Sequence, residues 1–110
     1  MLRLSGAQIE RFSASTRGEE VQRVHSALAG KGTHIDVAFV THYVEMCHSR
    51  GIYDYEDVRD TVHVVARLRI LRYDLTKVEL LLARTDLSVD HRIIPLCLLV
   101  HVLERQTTDE

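Results

Sequence analysis

The sequence predicts an all-α fold, a compact bundle of four to five short helices in a single domain, and three observations carry that expectation. One proline and five glycines among 110 residues leave little turn chemistry for a β protein. Apolar residues recur mostly at spacings of three and four, the repeat of a helix with one buried stripe. Residues that cap helix ends stand where those stripes begin and stop. A chain of this length can enclose one core, so residues 1–106 are read as one helical domain and 107–110 as a frayed tail.

The first segment opens at Ser5, whose hydroxyl can cap the amide of Gln8 while the Gln8 side chain reaches back. Ile9 and Phe12 share a face, and Val21, Val24 and Leu28 continue it beyond the weak helix formers Ser13 to Gly18, where the helix kinks or splits. Ala29-Gly30-Lys31-Gly32 ends it. The second helix takes Asp36 as N-cap and runs to about Arg50, with Val37, Val40, Tyr43, Val44 and Cys47 as its buried stripe and Gly51 as the left-handed residue after it.

Asp54 starts the third, with Glu56 and Asp57 at its positive end. Val58, Val62, Val65 and Arg69 lie on one face, widened by Val64, Leu68 and Leu71, and the helix ends near Tyr73. Thr76-Lys77-Val78-Glu79 reads as a capping box ahead of Leu80, Leu81 and Leu82. Asp86 or Ser88 caps the fifth. Within that last segment Pro95 removes the amide that would bond to His91, at a cost of roughly 3 kcal/mol, so a kink or restart is expected there. The expected core contains Phe12, Val40, Val44, Val58, Val62, Val65, Leu81 and Leu99.

The formal charge of −2 supplies no long-range attraction to nucleic acid or an anionic membrane. Two cysteines, Cys47 and Cys97, suit reduced thiols in a cytosolic protein, with a single disulfide between them as the alternative. The opening Met1 to Gly6 lacks the charged-then-apolar pattern of a secretory leader, and the apolar run Ile93 to Val100 is too short to span a bilayer. The expectation is a cytoplasmic protein with no nucleic-acid or membrane partner.

Seven histidines raise the question of a metal. Cys97 and His101 are one helical turn apart, and Cys47, His48, His42 or His63 would have to complete the set, yet no spacing among them matches a known ligand signature. No metal or cofactor is expected, and Cys97 reads as a small core residue. Cys47 and His48 are neighbours that diverge by about 100° on a helix, so they do not make a nucleophile and its base. The reading is a buried Cys47 beside an exposed His48. Arg59, Arg67, Arg69 and Arg72 form a solvated face of mixed charge with Asp57 and Asp60 rather than a phosphate-binding stripe. No catalytic residues are assigned.

The segment Ile93 to Leu103 is more informative, because it is apolar nearly all round. Either it is the central core element or a partner, which includes a second copy, covers one face. On the partner reading Ile94, Leu98 and Val102 form the contact, with Arg92, Glu104 and Arg105 as polar rim. Leu98 is expected to face outward while Ile94 and Val102 turn to the core.

Three stretches carry a resemblance: Met1-Leu2-Arg3-Leu4 with Gln8-Ile9-Glu10-Arg11-Phe12, then Arg50-Gly51-Ile52 with Glu56-Asp57-Val58, then Asp86-Leu87-Ser88 with Arg92-Ile93. Together they resemble small bacterial proteins encoded beside type VI secretion effector genes. The chain departs from that pattern at Gly30-Lys31-Gly32, where the family tends to carry Phe-Pro, and at the compact turn near Tyr73-Asp74-Leu75. The resemblance implies a non-enzymatic chaperone, adaptor or accessory subunit for an effector encoded nearby. The alternatives are an immunity protein that neutralises the neighbouring toxin and, in a different class, a small enzyme or metal-binding domain.

Overall fold

Asp36, Asp54 and Asp74 each sit in extended backbone with a carboxylate accepting an amide of the following turn, from Phe39, Glu56 and Thr76 respectively. The structure is a computed structural model that describes residues 18–30 and 35–108, and these three caps start three of the five helices among those residues. Helix α1 covers 18–28 of the described residues, followed by α2 Val37–Ser49, α3 Tyr55–Ile70, α4 Leu75–Leu82 and α5 Val89–Thr108. No strand occurs among the described residues, so the all-α bundle is as expected. The expected capping box at Ser5 and the core position Phe12 lie outside the described residues.

The end of α2 is closed by the amides of Gly51 and Ile52, which donate to the carbonyls of His48 and Cys47. This is a Schellman motif, and Gly51 takes its left-handed position at φ 81°. The end of α3 repeats the pattern, with Arg72 donating to Arg69 and Tyr73 to Leu68. Here the left-handed residue is Arg72, at φ 62°, a conformation that L side chains disfavour. Both closures put an apolar side chain back on the core, Ile52 beside Cys47 and Tyr73 beside Leu68.

Helix α3 is the centre of the bundle. It packs against α2, α4 and α5, and buries Val58, Thr61, Val62, Val64, Val65, Ala66 and Leu68 over more than half its circumference. Val21, Val24 and Leu28 of α1, Val40, Tyr43 and Val44 of α2, Val78 and Leu82 of α4, and Leu96 and Val100 of α5 complete the core. Two of the expected core residues, Leu81 and Leu99, are only partly buried. Val37 and Arg69, expected on buried stripes, are exposed. Arg69 lies at the outer end of α3 with its guanidinium 4.2 Å above the centre of the Phe39 ring.

Two helix boundaries differ from expectation. Helix α4 begins at Leu75 under Asp74, one residue before Thr76, because a carboxylate already occupies the capping position. Helix α5 runs through Pro95 without a break. Pro95 is exposed, so the carbonyl released from the backbone ladder lies on the side of the helix open to hydration. Ser88 rather than Asp86 starts α5, its Oγ accepting the amide of His91 at 3.2 Å.

Arg92 ties three of these elements together. It is 3% exposed, and its guanidinium donates to the carbonyls of Arg50 at 2.8 Å and Leu82 at 3.0 Å. Those carbonyls belong to the closing turns of α2 and α4, the negative ends of their helix dipoles. A single cation on α5 therefore donates to two helix ends, and the Leu82 carbonyl at one of them is buried.

Candidate protein-binding surface

Helix α5 has two apolar faces. One, carrying Ile93, Leu96 and Val100, is in or against the core. The other carries Ile94, Leu98 and Val102, which are 53%, 61% and 50% exposed. Four residues along a helix advance the side chain by only about 40°, so these three form one ridge rather than opposing positions. The expectation that Ile94 and Val102 turn inward is therefore corrected: all three face outward together. The helix is neither wholly core nor wholly surface, because α3 takes the enclosed position and leaves α5 packed on one side only.

The rim also differs. Arg92 is buried, with Nη1 donating to the carbonyls of Arg50 and Leu82, so it does not form an exposed rim to the ridge. Glu104 is ion-paired with Arg67 of α3. Arg105 is exposed beside the ridge, at its C-terminal end, and Asp90 is exposed at the other. Pro95 and His101 flank the ridge and are exposed as well.

The residues considered for chemistry are dispersed or occupied. Cys47 is 1% exposed, and burial pushes its thiol up to about 12, with the neighbouring Thr61 side chain opposing the shift. His48 is not exposed as expected: it turns toward α1, where its Nε2 meets Glu20 Oε2 at 2.8 Å, and its ring packs on Tyr53. Cys97 is exposed, not a core residue. It lines a cleft of about 240 Å³ between α3 and α5 together with Asp60, His63, Val64, Arg67 and Val100. Partial burial, then the field of Asp60, raises the Cys97 thiol, which works against a thiolate nucleophile or ligand. Among the described residues no group of three or more His, Cys, Asp and Glu is placed to hold a metal ion.

The arginines of α3 behave as a mixed-charge surface. Arg59 pairs with Asp60 at 3.3 Å, Arg67 with Glu104, and Arg69 lies over Phe39. No helix among the described residues is long and apolar enough to cross a membrane. The outward ridge could be anticipated from the all-round apolarity of Ile93 to Leu103. The role of Arg92 could not, since an arginine four residues after a helix cap looks like any solvated side chain until α2 and α4 are placed beside it. The chain matches no protein-family profile, and neither curated proteins nor solved structures provide a match.

Proposed function

We propose that this chain is a non-enzymatic, cytoplasmic protein-binding helper whose contact surface is the outward face of α5. The observation that carries the reading is the ridge Ile94–Leu98–Val102, three large apolar side chains at half exposure or more on a helix whose opposite face is already core. Such a ridge suits a partner that lays an apolar helical or groove surface along it, with Arg105 at the edge of the contact. The partner we propose is an effector encoded beside this gene, as the resemblance in the three sequence stretches implies, and the role is that of a chaperone or adaptor. A helper that shields apolar surface needs a preformed apolar face, and α5 supplies one without disturbing the core.

Co-expression with the product of the adjacent gene tests the reading. Wild-type protein is expected to co-purify with it, and Leu98→Glu to lose it, because an interface closing over a carboxylate incurs a desolvation cost of several kcal/mol, at least about 100-fold in affinity. Leu98 is surface-exposed, so the variant should keep its stability within about 0.5 kcal/mol. Retention of the partner by a folded Leu98→Glu protein would remove α5 from the contact.

A further inference from the structure

We infer that, when no other partner is bound, a second copy of this chain covers the outward face of α5, the two helices lying antiparallel across a two-fold axis at Leu98. The inference rests on reading that face as an interface and adds its occupant in the free protein.

The ridge is symmetric about its centre. Ile94 and Val102 stand one turn to either side of Leu98, so an antiparallel pair places Leu98 against Leu98 and each Ile94 against Val102 of the other copy. No other register closes all three apolar positions in both chains. The charges at the ends have the polarity this arrangement needs. Asp90 at the N-terminal end and Arg105 at the C-terminal end are both exposed, and neither makes an ion pair among the described residues. An antiparallel pair brings Asp90 of one copy within reach of Arg105 of the other, twice, whereas a parallel pair would set like charges together. The N-terminal end is acidic beyond Asp90: burial, then the fields of Asp54, Asp90, Asp60 and Glu56, raise the carboxyl of Asp57. That end therefore favours an incoming guanidinium. The helix dipoles oppose in the same sense.

Three half-exposed side chains per copy make a small interface, so the dimer should be weak, with a dissociation constant on the order of 10–100 µM. A readily dissociating dimer is compatible with release to a tighter partner.

Sedimentation equilibrium of the purified chain should show weight-average mass rising with concentration from 12.6 kDa toward twice that value. Asp90→Arg should weaken the association at least tenfold, and Asp90→Arg with Arg105→Asp should restore it, which a loss of fold or of bulk charge would not do. Register is read by disulfide formation under copper–phenanthroline in a Cys97→Ser background, Cys47 being buried. Leu98→Cys should cross-link to itself. Ile94→Cys and Val102→Cys should each fail alone and cross-link when mixed. A monomer throughout the concentration series, or self-cross-linking of Ile94→Cys, would overturn the inference. Neither result bears on co-purification with the adjacent gene product, so the dimer can fail while the proposed function stands, and the reverse.

Discussion

Arg92 shows how far a residue's role can depart from its type. Its side chain is buried with Nη1 donating to the carbonyls of both Arg50 and Leu82, so truncation would leave two carbonyls without their charged donor. Arg92→Ala is expected to cost about 3–5 kcal/mol in urea unfolding, and Arg92→Lys, whose ammonium keeps a charged donor but not the planar guanidinium that packs there, roughly half of that. A loss below about 1 kcal/mol for Arg92→Ala would show that water serves those carbonyls equally well. Burial holds the Cys47 thiol up to about 12 against an ordinary value of 9.0. Between those values the unfolded chain has released a proton that the native chain retains, so Cys47 makes stability fall as pH rises through that window, by at most about 1.4 kcal/mol per pH unit. Cys47→Ala should flatten the decline above pH 9 in paired unfolding curves, although Tyr43, also raised chiefly by burial, keeps part of it.

Gly51 and Arg72 occupy the same left-handed position in two Schellman closures, yet only the first is announced by its residue type. A Cβ added at Gly51 meets nothing within 4 Å, so Gly51→Ala should cost only the backbone preference, about 1 kcal/mol, and Arg72→Gly should gain up to about the same amount. Thermal melts of the two variants check this, and a stabilising Gly51→Ala would contradict the assigned closure. The elements themselves were legible in the sequence because cap and stripe agree at each: Asp36 before Val40, Val44 and Cys47, and Asp54 before Val58, Val62 and Val65. What was not legible depends on tertiary placement. Thr76 looked like a cap because Glu79 stands three residues on, but Asp74 is a competing carboxylate nearer the turn. Pro95 looked like a break because sequence does not show which side of α5 is solvated. The direction of Leu98 relative to Ile94 and Val102 required no structure at all, since spacings of four fix it.

For the whole molecule, the consequence of placing α3 at the centre is that α5 has one covered face and one open one. A chain of this size encloses one helix well, and the helix with the most consecutive apolar residues is not the one enclosed. The same arrangement sends Cys47 inward and Cys97 outward, and separates the described histidines among α1, α2, α3 and α5. The proposed contact surface was therefore visible in the sequence only as an excess of apolar residues in Ile93 to Leu103, and the structure turns that excess into a ridge with defined ends. The claim that this ridge is the contact surface is tested most directly by titration calorimetry of the adjacent gene product with two glutamate variants. Leu98 on α5 and Leu80 on α4 are the same residue at similar exposure, 61% and 65%. Leu80→Glu is expected to bind like the wild type, and Leu98→Glu to bind at least about 100-fold more weakly, with both proteins melting within a few degrees of wild type. Equal binding by the two variants, at either the wild-type or a reduced level, would contradict the account.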